Sequence, residues 1–100
     1  MFVMYKLKPG ANIEDFRKFS REIDHKVTPR QKGVRSFDTF VITGADKGQP
    51  PYQIIDVLEV ESYDQWLKVS ASDAMKPVFE QWNKLADESS VLTIYGEKIS

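Results

Sequence analysis

Residues 53–60 read QIIDVLEV, and the way these side chains alternate decides how the chain is built. Successive side chains of a strand point to opposite faces. On that reading Ile54, Leu58 and Val60 share one face, while Ile55 and Val57 share the other. A sheet with one wet face alternates cleanly between apolar and polar residues. This segment does not, so it predicts a strand covered on both sides. Its one charged residue among the isoleucines is Asp56, on the face of Ile54 and Leu58.

The segments on either side set the topology. Upstream, GADKGQPP at 44–51 is a polar loop rich in Gly and Pro, and VRSFDTFVIT before it reads as a second strand. The chain opens with FVMYKLK, a strand stopped by Pro9-Gly10. Asn12 suits a helix N-cap, with Glu14 and Asp15 in the first turn. Ile13, Phe16, Ser20, Ile23 and Val27 then recur at steps of three and four, one helical stripe that Phe19 broadens and Thr28-Pro29 ends. Downstream, Ser62 to Gln65 forms a capping box that opens a short helix through Trp66 and Leu67. Pro77 sits in the first turn of another helix, whose apolar face is Val78, Phe79, Trp82, Leu85 and Ala86. SVLTIYGEKI is the last strand.

The order β-α-β-β-α-β is the split βαβ or ferredoxin-like pattern. It predicts one α+β domain over residues 1–100: a four-stranded antiparallel sheet with both helices on one face. Phe2 and Met4 oppose Val3, Tyr5 and Leu7, and Leu92 and Ile94 oppose Val91 and Tyr95. The helices cover one face only. A leftover apolar face of several hundred square ångströms is large for a soluble monomer. The expectation is a homodimer with sheets packed face to face; the alternative is a scatter of exposed strand-end side chains.

Composition narrows the function. Apolar residues make up 41% and charged residues 29%, and the net charge is −1 with signs interspersed, so no basic footprint for nucleic acid is present. With no cysteine, thiolate chemistry and Cys-based metal sites are excluded, and a single histidine makes no metal cluster. A carboxylate site for Mg²⁺ stays open, but no D-x-D run supports one. Nothing resembles a signal peptide or a membrane span, so a soluble cytoplasmic protein is the default.

Three residues are candidates for proton transfer. Asp56 is costly to bury unless partnered, and burial would raise its pKa. It reads either as a pocket acid or as a carboxylate ion-paired near a strand end. Asp24 stacks with Ser20 and Thr28 at four-residue spacing along one helix edge, which flanks the apolar stripe and could look into a crevice between helix and sheet. His25 is about 100° round the helix from Asp24. It reads either as a crevice residue or, preferably, as a helix-end side chain that binds the last carbonyls. Ser20, Thr28, Arg35, Tyr5, Tyr95 and Trp66 are candidate substrate contacts. Tyr and Trp stack on planar ligands, and Arg35 could neutralise Asp24 or an anion.

MYKLKPGANIEDF at 4–16, SREID with Thr28, VRSFD, GQPPY, SDAM and IYGEKI, in that order, span nearly the whole chain. The sequence resembles the REDY-like family of the dimeric α/β-barrel superfamily, small proteins associated with bipyrrole and prodiginine pigment biosynthesis. The resemblance implies a ligand crevice between helices and sheet, a small cyclic or aromatic ligand, and chemistry without metal or flavin. It transfers no reaction. Three roles stay open: an enzyme on a small cyclic or aromatic intermediate, a carrier that shields a reactive ligand, and a structural partner.

Overall fold

The structure is a computed structural model that describes residues 1–100. The strands are β1 (Phe2–Leu7), β2 (Val34–Val41), β3 (Ile54–Val60) and β4 (Ala86–Ile94). They form one antiparallel sheet in the order β2-β3-β1-β4, so QIIDVLEV lies on a central strand. The helices are α1 (Ile13–Phe19), α2 (His25–Val27), α3 (Tyr63–Ser70) and α4 (Lys76–Leu85). No helix is long and apolar enough to cross a membrane.

Local signals place the helix starts. The Asn12 side chain accepts from the Glu14 backbone N–H at 2.7 Å, and the Ser62 hydroxyl accepts from Gln65 N–H at 3.1 Å. Each satisfies one of the donors left free in a first turn. Asn12→Ala should cost about 1 kcal/mol. In a domain of this size that lowers Tm by about 4–8 °C, readable by calorimetry. An unchanged Tm would show that packing of Phe16 and Phe19 alone fixes the start of α1.

The core lies between the helices and one sheet face. Tyr5 and Ile54 are fully buried, and Phe16, Met75 and Val78 close over them from the helical layer. The opposite face follows the sequence reading. The registers Phe40↔Ile55, Met4↔Ile55 and Met4↔Leu92 form one continuous row across all four strands. A second row links Val57, Phe2 and Ile94. Phe40 is 54% exposed, Ile94 49% and Leu92 43%.

Three readings are corrected. The single helical stripe from Ile13 to Val27 is interrupted by a π-helical turn, Ser20–Asp24, in which the His25 N–H donates to the Ser20 carbonyl five residues back. Thr28 keeps helical angles (φ −57, ψ −47) although Pro29 follows, and the chain leaves the helix only at Gln31. A 3₁₀ turn over Thr28–Arg30, closed by Gln31 N–H to the Thr28 carbonyl at 3.2 Å, holds that geometry. Finally, β4 begins directly after α4, pairing Leu7↔Ala86 and Lys6↔Asp87 before a bulge. It ends at Ile94, so Tyr95 to Ile99 add no strand.

Candidate functional site

Between the helical layer and the inner sheet face lies a cavity of about 190 Å³. The sheet contributes Val3, Tyr5, Asp56 and Thr93; the segment after α1 contributes Asp24 and Thr28; α3 and α4 contribute Trp66 and Trp82. β-Alternation turns Tyr5 and Asp56 inward, because each lies between residues that face the core or share its side. Asp24 is brought in by the π turn. Such insertions re-phase a helix and recur at functional sites. Here the insertion separates Ser20 from the edge it was expected to share with Asp24.

Two carboxyls therefore face one cavity, at 5% (Asp24) and 8% (Asp56) exposure. The Thr28 hydroxyl donates to Asp24 Oδ1 at 2.6 Å. Asp56 receives two hydroxyls: Tyr5 donates to Oδ2 at 3.0 Å and Thr39 to Oδ1 at 2.7 Å. Neither carboxyl has a salt-bridge partner, since the ion pairs lie on the surface. Desolvation is thus the dominant influence, and it disfavours the charged form. It pushes Asp56 up to about 7, with the nearby Asp24 raising it further and the Thr39 and Tyr5 hydrogen bonds opposing. Asp24 is raised for the same reason, partly offset by Thr28 and His25. The Tyr5 phenol is pushed far above its usual range by burial and by Asp56. It therefore stays a neutral donor at any physiological pH.

Chemically, the arrangement can do acid–base work. A carboxyl that titrates near neutrality is populated in both protonation states, which suits general acid or base work. The walls are mostly apolar or aromatic and carry neither Lys nor Arg. An anionic ligand would meet two carboxyls and no counter-charge; a neutral or cationic ring bearing a hydrogen-bond donor meets acceptors. The volume is close to the roughly 150 Å³ of cavities that hold a benzene ring, and below the ~300–1,000 Å³ of drug-sized pockets.

Of the sequence candidates, the fold brings Asp24, Asp56, Thr28, Tyr5 and Trp66 to this cavity. Four are placed elsewhere. Ser20 is half-buried at the start of the π turn and lines no part of it. Arg35 is on the surface, 3.8 Å from Glu59, and neutralises neither Asp24 nor the cavity. Tyr95 is 61% exposed and stacks on Tyr63 at 4.1 Å, beyond the end of β4. His25 does not line the cavity, and its side chain does not bind the last helix carbonyls as expected. Its ring stacks on Phe37 at 4.2 Å and its Nε2 lies 2.9 Å from Thr39 Oγ1. The sequence reading missed Thr39, Phe37, Met75 and Thr93. Alternation within VRSFDTFV turns Phe37 and Thr39 the same way, but only the register Thr39↔Asp56 shows that they serve Asp56.

Known structures share this architecture. A structure of HapK from Hahella chejuensis superposes with TM-score 0.73 at 12% identity, covering 99% of this chain and 95% of that one. The protein At3g17210 from Arabidopsis thaliana gives TM-score 0.75 at 16% identity, covering 99% and 93%. A protein of unknown function from Bacteroides fragilis NCTC 9343, described as dimeric and ferredoxin-like in fold, gives TM-score 0.59 at 11% identity, covering 87% and 84%. At these identities the likeness establishes the ferredoxin-like fold. No curated protein matches the sequence. A family model does: that of the REDY-like protein HapK aligns with residues 1–99, and the chain belongs to that family.

Proposed function

We propose that the protein is a cofactor-independent enzyme of secondary metabolism that acts by proton transfer on a small cyclic or aromatic intermediate held between its helices and its sheet. The observation that carries this reading is the pair of buried carboxyls, Asp24 and Asp56, facing one aromatic-walled cavity without a cation. Two unpaired buried acids cost stability. A chain with no use for them would be better served by apolar residues, as at Val3 and Leu58 beside them. Asp56 is the acid or base, and the Tyr5 hydroxyl holds it in place. Trp66 and Trp82 stack on the ring of the substrate. Family membership makes a pyrrolic intermediate of pigment biosynthesis the first substrate class to try.

The same reading includes a homodimer. The two apolar rows on the outer sheet face have no helix over them, and a protein of the same fold is described as dimeric. A second copy placed face to face would cover both sets of rows at once by two-fold symmetry.

The test is a thermal-shift screen with pyrroles, indoles and cyclic ketones, followed by product analysis of each binder. At a ligand concentration of about 100 Kd, binding stabilises by about 2.7 kcal/mol, a shift of more than 10 °C for a domain of this length. Anionic analogues should give none. Binding with turnover supports the enzyme, binding without turnover identifies a carrier, and no shift across the panel overturns the ligand-site reading.

A further inference from the structure

The hydrogen bonds around Asp56 form a line that leaves the cavity. Thr39 has one hydroxyl proton, and it is given to Asp56 Oδ1 at 2.7 Å. The bond of 2.9 Å between Thr39 Oγ1 and His25 Nε2 must then be donated by the imidazole, so the network assigns a proton to Nε2. His25 is only half-buried, outside the cavity wall, with its ring fixed against Phe37. The chain of groups thus runs from a partly solvated imidazole, through one hydroxyl, to a carboxyl buried at the sheet.

We propose that His25 and Thr39 are a proton relay that exchanges the Asp56 proton with solvent, whether the cavity is empty or occupied. A ligand filling the cavity removes water from the inner side of Asp56, and the Tyr5 side offers no route, because that phenol is fully buried. When Asp56 has given its proton to the ligand, its Oδ1 takes the Thr39 hydroxyl proton. In the same event Thr39 Oγ1 takes the Nε2 proton of the His25 imidazolium. The Nε2–H bond and the original Oγ1–H bond break, and a new Oγ1–H bond and an Oδ1–H bond form. Neutral His25 remains, protonated on Nδ1, and reloads from solvent. The reverse sequence exports a proton if Asp56 acts as base. A hydroxyl between the imidazole and the carboxyl allows both directions, since it can donate to either neighbour.

The groups facing Asp56 are few. They are Tyr5 from β1, Thr39 from β2, Asp24 from the π turn and, through Thr39, His25. His25 and Thr39 are positioning and relay residues, not catalytic ones, for neither lines the cavity. The inference deepens the acid–base reading of Asp56, and it is testable without a substrate.

The measurement is ¹³C relaxation dispersion at the Asp56 carboxyl carbon near its titration midpoint, in the whole protein. Wild type is expected to show fast proton exchange. Thr39→Val preserves shape and removes the hydroxyl, and it should slow exchange at least tenfold. Thr39→Ser should restore the wild-type rate. His25→Phe keeps the ring stack on Phe37 and should slow exchange as Thr39→Val does, which decides the matter if the valine variant does not fold. Undiminished exchange in either of these two variants would overturn the relay. That outcome would leave the ligand screen untouched, just as a cavity that binds nothing would leave the relay standing.

Discussion

Asp56→Asn is expected to flatten the dependence of stability on pH by roughly 4 kcal/mol between pH 4 and pH 8. The folded-state pKa of Asp56 is raised from an ordinary 3.8 to about 7. Below pH 3.8 the carboxyl is protonated folded or unfolded and contributes no difference. Between 3.8 and 7 the unfolded chain releases its proton while the folded chain keeps it, so the folded state loses ground steadily as pH rises. Above 7 both are ionised, and the folded state carries the full cost of a desolvated carboxylate. Asparagine resembles the neutral acid in shape and never ionises. The variant should therefore match wild type near pH 4 and exceed it at pH 8. Part of the slope should persist, because burial raises Asp24 in the same direction. Urea titrations at four or five pH values read the difference. Equal slopes in the two proteins would mean that Asp56 ionises freely, reached by water, and would undo the acid–base pocket. The same substitution should abolish turnover on any substrate the screen identifies, while leaving binding within a few-fold.

Met4→Lys is expected to turn a stable homodimer into a monomer. Met4 stands at the middle of the outer face, with Ile55 on one side and Leu92 on the other. In a two-fold interface each substitution acts twice. An ammonium facing apolar rows must either be desolvated or hold the sheets apart. At about 1.5 kcal/mol or more for each copy, the loss is 3 kcal/mol or more, over a hundredfold in Kd. Sedimentation equilibrium at micromolar concentration distinguishes the two masses. The fold should survive, since Met4 lies on the face opposite Tyr5 and Leu7. A wild-type protein that sediments as a monomer would remove the dimer from the proposal and leave the rows bare.

The helix starts, the strand order in sequence and the two-faced strands were all legible in the chain, because each depends on near neighbours. Asn12 and Ser62 cap the helices that follow them, and the alternation in QIIDVLEV survives whatever surrounds it. The candidate site was legible in part. Strand alternation grouped Asp56 with Ile54 and Leu58, and Tyr5 with Val3 and Leu7, a period that the fold did not disturb; that both groups face inward was decided by the fold. Asp24 was placed correctly for an incomplete reason, and Ser20 wrongly, because a π turn changes the period where α-helical spacing was assumed.

What the sequence by itself determined was the set of local choices: which segments are helix or strand, which side chains share a face, and that one acid sits among apolar neighbours. What only the tertiary structure decided was which of these surfaces meet. Asp24 and Asp56 lie 32 residues apart, and His25 reaches Asp56 only because β2 pairs with β3 in the register that sets Thr39 beside it. Register comes from the balance of a whole sheet packed against its helices. No short-range pattern encodes that balance, and so the cavity, its shared field and its route to solvent exist only in the folded chain.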